Sequence, residues 1–136
     1  MGSKAARVIC RGGRYITRCH DMLRSDAYRD LSLTARCLLE EFQIAYNGSN
    51  NGSLSISTKN ASRLLKVSEP TAIKAFRELV EHGFIKLTEH HYWQQQRARE
   101  FRLTFEKHNG REASNEWLLW SEDCPVAELK KCATQK

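Results

Sequence analysis

Residues 57–83, STKNASRLLKVSEPTAIKAFRELVEHG, predict two short helices joined by a tight turn. Ser57 or Thr58 is suited to accept the first free backbone N–H groups of one helix, and Ser68 offers the same cap to a second. Pro70 falls in the first turn of that second helix, where its fixed φ and missing N–H do no harm. Gly83 supplies the left-handed residue that ends a helix. The pattern therefore predicts a helix-turn-helix unit.

Each predicted helix carries apolar residues on one side only, at helical spacing. The predicted buried stripes are Ala61, Leu64 and Leu65 in the first helix and Ala72, Phe76, Leu79 and Val80 in the second. The opposite side of the second helix carries Pro70, Lys74, Arg77 and Glu78. This side is expected to be free for a partner, and a solvated helical hairpin is the alternative.

The elements on either side of the hairpin predict the fold class. Residues 32–46 form a longer amphipathic pattern, with Leu38, Leu39, Phe42, Ala45 and Tyr46 on one face. Residues 84–90 and 100–105 alternate apolar and polar side chains as strands do, and the polar stretch HYWQQQRAR separates them. The predicted class is α+β, mainly α: a winged helix-turn-helix with a three-helix core and a β-hairpin wing. Its domain spans 25–105, after a basic N-terminal arm at 1–24 and before a linker and C-terminal helical extension at 106–136.

Composition excludes several classes of protein. The 136 residues suit one domain with extensions, 40% are hydrophobic, and the mean hydropathy is −0.61. No apolar stretch approaches the ~20 residues of a membrane span. The start, MGSKAARVICRGG, lacks the apolar core of a signal peptide. The expected location is the cytoplasm of a prokaryotic cell, with no membrane partner.

Catalytic and metal-binding patterns are lacking from the sequence. The five cysteines include no Cys-x-x-Cys pair, so reduced thiols are the simpler interpretation and no metal is expected. His90 and His91 are adjacent, so on a strand they point to opposite faces. There is no glycine-rich phosphate loop, Gly-x-Ser-x-Gly elbow or His-Glu-x-x-His motif. The chain is therefore expected not to be an enzyme and to use no cofactor.

A helix-turn-helix unit is typical of DNA-binding proteins, and the charge distribution predicts which residues would contact double-stranded DNA. The net charge is +6, and most of the excess lies in the first twenty-four residues, whereas the second helix of the hairpin holds more acids than bases. Affinity and specificity are therefore expected to separate. The predicted base-reading residues, at the start of the recognition helix, are Ser68, Glu69, Pro70, Thr71, Lys74 and Arg77. The predicted phosphate and wing contacts are Lys59, Arg63, Gln95, Arg97 and Arg99, and those of the arm are Arg11, Arg14 and Arg18.

The run NASRLLKVSEPTAIKAFRELVEHGFI resembles the helix-turn-helix of winged-helix regulators of the MarR and GntR type. Over roughly residues 12–120, the chain also resembles winged-helix proteins common in proteobacterial prophages and plasmids. The matching stretches include the loop YNGSNNG, the strand RAREFRLTF and the closing NEWLLW. The resemblance implies a small DNA-binding protein of a phage or other mobile element, acting as a transcriptional regulator or in replication initiation. Two departures from the pattern are Lys66, where many such turns have glycine, and three acids in the recognition helix.

Three alternatives stay open at this stage. Trp117, Leu118 and Trp120 are too apolar to stay exposed on a monomer, so residues 113–132 either form a homodimer contact or pack on the same chain. Thr71 either reads a base or packs its methyl into the hairpin. Glu78 and Glu81 form either a solvated face or a docking surface for a protein partner, as in an inhibitor or assembly factor.

Overall fold

A computed structural model describes residues 14–88 and 99–126. This part of the chain is α+β and mainly helical, as predicted, and its element order is compatible with a winged helix. Its α-helices are α1 (His20–Arg24), α2 (Asp26–Asp30), α3 (Leu33–Ala45), α4 (Thr58–Leu65) and α5 (Glu69–Glu81). A two-stranded antiparallel sheet of β1 (Ile85–Leu87) and β2 (Phe101–Leu103) follows, and then a 3-10 helix (Glu116–Leu119).

Serine side chains start four of the helices. Ser25, Ser32, Ser57 and Ser68 each accept a hydrogen bond from the backbone N–H three residues further on. This cap satisfies a donor that has no partner inside the helix. The predicted starts at Ser57 and Ser68 are confirmed, and Pro70 lies in the first turn of α5.

The turn between α4 and α5 uses a left-handed residue, as a helix end usually does. That residue is Lys66, with φ 57° and ψ 46°, and the backbone N–H of Val67 donates to the Ser62 carbonyl at 3.1 Å. The left-handed conformation costs a residue with a Cβ about 1–2 kcal/mol more than glycine. Lys66 thus makes the turn that glycine makes in many similar hairpins.

The core lies between α3, α5 and the sheet. Its largest fully buried side chains include Leu38, Leu39, Phe42, Leu79 and Phe84. The predicted stripe of α3 is wrong at Ala45, which is exposed, whereas Tyr46, the next residue, packs against the core. Ala35 and Gln43 are buried on α3 instead.

The predicted stripes of the hairpin helices are also shifted. On α5 the buried line is Ala72, Ala75 and Leu79, while Phe76 and Val80 lie half-buried at its edge. On α4, Ala61 is buried and Leu65 packs against the core, but Leu64 is exposed. Successive residues of an α-helix are rotated by about 100° around its axis. An apolar residue directly after a buried one therefore points away from the middle of the packed face, which explains both shifts.

The sheet continues directly from α5. Gly83, with φ 82°, ends the helix as predicted, and the N–H groups of Gly83 and Phe84 donate back to Val80 and Leu79. Ile85 then pairs with Leu103, and Leu87 with Phe101. Leu54 forms a bridge to the other edge of β2 at Phe101. The predicted wing tip, which includes Gln95, Arg97 and the two adjacent histidines, lies outside the described residues.

The C-terminal extension packs on its own chain. Trp117 is buried and its ring stacks on Phe84, with centroids 6.3 Å apart. Trp120 stacks on His82, at 4.7 Å. Of the two alternatives for these tryptophans, the structure shows same-chain packing. Leu118 and Leu119 of the 3-10 helix are exposed, and residues 127–132 of the proposed dimer contact lie outside the described part.

Candidate nucleic-acid interface

The first half of α5 faces solvent. All six residues predicted to read bases are exposed: Ser68, Glu69, Pro70, Thr71, Lys74 and Arg77. The opposite side of the same helix is anchored by Ala72, Ala75 and Leu79, which are buried. Helix α5 therefore presents one rigidly supported face to the outside.

The other end of α5 is enclosed. The ring of His82 lies between two acceptors, with Nδ1 2.7 Å from the Glu78 carbonyl and Nε2 2.8 Å from the Asp30 carboxylate. Trp120 covers the face of this ring. Among the described residues, the C-terminal end of α5 is therefore covered, whereas the end at Ser68 is open to a large ligand.

Ser68 and Thr71 form a pair of hydroxyl groups at the open end. Ser68 Oγ lies 2.9 Å from Thr71 Oγ1 and also accepts the Thr71 N–H at 3.4 Å. Thr71 is exposed, which favours a surface role over packing of its methyl into the hairpin. Both hydroxyls are thus held at the surface where the helix begins.

Exposed cationic side chains lie on both helices of the hairpin. Lys74, Arg77 and Lys59 are exposed and make no hydrogen bond or ion pair with any residue in 14–88 or 99–126. Arg63 is exposed on α4 and donates only to Asn60, one turn away, at 2.6 Å. Arg99 is exposed just before β2, whereas Arg97 falls outside the described residues. Among the described residues, Lys59, Lys74 and Arg77 are therefore without a side-chain partner and available to an anion.

One of the three acids of α5 has an internal partner. The Glu78 carboxylate accepts from the Ser32 hydroxyl at 2.7 Å and from the Ser32 backbone N–H at 3.2 Å. It therefore holds α5 to the start of α3, where the helix dipole favours a negative charge. Glu78 is therefore half-buried and bonded within the chain, rather than simply solvated. Glu81 makes no such contact with the described residues.

This contact makes Glu78→Ala destabilising. We expect the free energy of unfolding to fall by about 1–2 kcal/mol, because two hydrogen bonds to a carboxylate are lost. Glu81→Ala is the matched control, with an expected change within about 0.5 kcal/mol. Urea unfolding of the two variants measures the difference. Equal stability of the two variants would contradict the Glu78–Ser32 contact.

The described part of the N-terminal arm is bound to the domain. Arg14 donates to the Tyr46 carbonyl at 2.7 Å. Arg18 donates to Gln43 at 2.6 Å and to the Tyr28 hydroxyl at 2.9 Å, and its guanidinium lies over the Tyr28 ring. These guanidinium groups are thus engaged within the chain. Arg11 lies outside the described residues.

The boundary predicted at residue 24 cuts through packed structure. Helix α1 falls within the predicted arm, and its Met22 is buried in the core. Residues 14–19 have no regular secondary structure and do not join the sheet. The described residues before position 25 are therefore part of the folded domain.

The positive charge of Arg102, in β2, is paired with a carboxylate of the same chain. Arg102 donates to the Glu116 carboxylate at 2.8 Å and to the Ser114 hydroxyl at 3.0 Å. Burial raises the pKa of Glu116, but the hydrogen bonds from Ser114 and Arg102 and the charge of Lys86 outweigh it, so the pKa lies below its usual value. Burial and the charges of Arg102 and Arg111 lower the pKa of His108. Arg102 is therefore not free to contact a phosphate.

A shallow groove beside the end of α3 is a different kind of surface. It is lined by Arg14, Tyr15, Ile16, Thr17, Glu40, Gln43, Ile44, Tyr46 and Glu106. Burial raises the pKa of Glu106, and burial together with the Glu106 charge raises that of Tyr46. The lining holds two acidic side chains, Glu40 and Glu106, and a single guanidinium, that of Arg14, which already donates to Tyr46, so the groove does not favour binding of an anion.

Sequence reasoning missed one residue of the α5 face. Ile73 is 43% exposed, on the same side as Pro70 and Arg77. The sequence could have indicated this position, because Ile73 lies three residues after Pro70 and four before Arg77, and residues at these separations are neighbours on a helix.

The described residues contain neither a metal-binding cluster nor a membrane-spanning helix. Residues 14–88 and 99–126 contain no group of three or more His, Cys, Asp or Glu side chains placed to hold a metal ion. No helix among them combines the length and the apolar character needed to cross a bilayer. Comparison of the chain with protein-family models, curated proteins and solved structures finds no match.

Proposed function

We propose that this chain is a winged-helix protein that binds a specific sequence of double-stranded DNA and acts as a transcriptional regulator. The observation that carries the proposal is the exposure of one side of α5, at Ser68, Glu69, Pro70, Thr71, Lys74 and Arg77, on a helix whose other side is buried. The resemblance of the hairpin to MarR-type and GntR-type regulators supports the regulatory role. Origin of the gene in a phage or other mobile element is part of the same proposal.

The dimensions of α5 suit the major groove. Its 13 residues extend about 20 Å, and the groove is about 12 Å wide, enough to admit one helix. Because the His82 end is covered by Trp120, α5 enters with the Ser68 end first. Side chains in the first turns of a recognition helix are those that reach base edges.

The exposed side chains divide between base reading and phosphate contact. The Arg77 guanidinium has the fork that matches the O6 and N7 acceptors of guanine, and the Glu69 carboxylate accepts from the amino group of cytosine. Lys59 and Arg63 on α4, with Arg99 of the wing, supply positive charge for the backbone. Of the α5 acids, Glu78 is held by two hydrogen bonds from Ser32, which fix its carboxylate beside the start of α3.

Selection from random duplex DNA tests the proposal. The full chain is used to capture duplexes at two salt concentrations, and the bound fragments are sequenced. We expect one enriched sequence motif. We also expect the logarithm of the association constant to fall linearly with the logarithm of the salt concentration, with a slope of about −0.9 for each phosphate contacted. Recovery of random sequence at both concentrations would contradict specific recognition. Enriched motifs repeated beside a replication origin would change the role from regulation to initiation.

Alanine variants test which residues carry the recognition. We expect Lys74→Ala and Arg77→Ala each to weaken binding to the selected duplex by about 10-fold to 100-fold, because a good contact to a base discriminates by about 1–3 kcal/mol. Arg29→Ala is the control, since Arg29 is also exposed but lies beside Asp30 at the covered end of α5. Gel shifts with the selected and a scrambled duplex give the ratio. Unchanged binding by the doubly substituted chain would remove α5 from the interface.

The protein-docking alternative places a partner protein on the acidic side of α5. Glu78 is hydrogen-bonded to Ser32, whereas Glu81, in the last turn, has no side-chain partner among the described residues. A test of that surface therefore uses Glu81→Lys alone, because a change at Glu78 also alters stability. We expect Glu81→Lys to leave the choice of DNA sequence unchanged.

A further inference from the structure

An apolar side chain lies within the exposed face of α5. Ile73 is 43% exposed, whereas its neighbours Ala72 and Ala75 are buried. Residues three and four apart are adjacent on a helix, so Ile73 lies between Pro70 and Arg77. Single exposed apolar side chains are common on proteins. It is the position of Ile73, among the side chains proposed to face DNA, that distinguishes it.

The chemistry of the side chain limits what Ile73 can recognise. It has no hydrogen-bond donor or acceptor, so it cannot read the polar edge of a base. Among the four base pairs, only those with thymine present an apolar group in the major groove, the methyl on C5. Contact with that methyl removes apolar surface of both partners from water.

Thr71 is the competing reader of a thymine methyl. Its hydroxyl lies 2.9 Å from the Ser68 hydroxyl, so Thr71 takes part in the cap at the very start of α5. Ile73 is two residues further on and presents a larger apolar surface. The neighbouring cations Lys74 and Arg77 lie on the same exposed face and have no partner among the described residues.

We propose that Ile73 reads the C5 methyl of a thymine in the target sequence and is a specificity-determining residue of the DNA interface. The inference rests on the proposed function and names one chemical feature of the DNA. The binding site must contain at least one thymine whose methyl, rather than its hydrogen-bonding edge, determines affinity.

Deoxyuridine substitution isolates that methyl. Deoxyuridine lacks the C5 methyl of thymine but keeps the same hydrogen-bonding groups. Each thymine of the selected duplex is replaced in turn, and affinity is measured for the full chain with gel shifts. At the thymine opposite Ile73 we expect a loss of about fourfold, the effect of removing one buried methyl-sized group.

Variants then assign the effect to one side chain. We expect Ile73→Ala to bind the thymine and deoxyuridine duplexes equally well at that position, while Thr71→Ser, which removes only a methyl group, keeps the fourfold preference. Ile73 is exposed, so its replacement is expected to leave thermal unfolding nearly unchanged, and the same samples are melted to check this.

The possible results separate the inference from the function beneath it. If no duplex is selected from random DNA, the proposed function fails and the inference fails with it. If a duplex is selected but every deoxyuridine substitution leaves affinity unchanged, DNA recognition stands and methyl reading is overturned. If Ile73→Ala keeps the preference, or if Thr71→Ser alone abolishes it, Ile73 is not the reader.

Discussion

Replacing Gly83 by alanine is expected to lower the free energy of unfolding by about 3 kcal/mol or more. Gly83 has φ 82°, a conformation that costs a residue with a Cβ about 1–2 kcal/mol. A Cβ at this position would also lie 2.7–2.8 Å from the backbone of Glu116 and Trp117. Backbone atoms cannot rotate away, so the 3-10 helix must move, and overpacking of this kind costs about 1–3 kcal/mol.

Gly48→Ala separates the two contributions. Gly48 also has positive φ, 98°, but a Cβ there meets no atom within 4 Å. We expect this variant to lose only the conformational part, about 1–2 kcal/mol. Urea unfolding of both variants gives the comparison. Equal losses would show that the C-terminal segment does not press against Gly83.

Asn51→Ala is the second substitution with a large expected effect. The Asn51 side chain accepts from the Leu103 N–H at 2.6 Å and donates toward the carbonyls of Leu103, Glu106 and Lys107 at 3.0–3.3 Å. It thereby ties the loop after α3 to β2 and the segment that follows. We expect a loss of about 2–4 kcal/mol, because alanine leaves these backbone groups without their partner in a partly buried place.

Two further variants define the cause. Asn51→Asp keeps an acceptor for the Leu103 N–H but brings a carboxylate against three carbonyl oxygens, so we expect a loss as large as with alanine. Asn60→Ala is the control, with an expected change within about 0.5 kcal/mol: the Asn60 side chain is exposed and accepts only from Arg63, and the backbone N–H that donates to Ser57 is kept in alanine. Thermal unfolding followed by circular dichroism measures all three. An Asn51→Asp variant as stable as the parent chain would contradict the donor role.

Local features of the fold could be predicted from the sequence. Ser57 and Ser68 start their helices, Pro70 lies in the first turn and Gly83 ends the hairpin, because each of these roles depends on residues three or four positions away. The exposure of the α5 face follows from the same short-range periodicity.

Long-range contacts could not be predicted in the same way. A count of charges along the chain placed Arg18 in a DNA-binding arm. In the structure, Arg18 instead donates to Tyr28 and Gln43 within the domain. Glu78 meets Ser32, 46 residues earlier, and no local pattern marks that pair. The covering of His82 by Trp120 likewise depends on how the C-terminal segment returns to α5.

Heteronuclear NMR titration of the full chain with its selected duplex tests most directly whether α5 enters DNA. We expect the largest amide shift changes on residues 68–77, with smaller changes at Lys59 and Arg63 of α4. Little change is expected at His82 and Trp120, which stack at the other end of the helix. Shift changes confined to the C-terminal segment or the groove beside Tyr46, with residues 68–77 unaffected, would contradict entry of α5 into DNA.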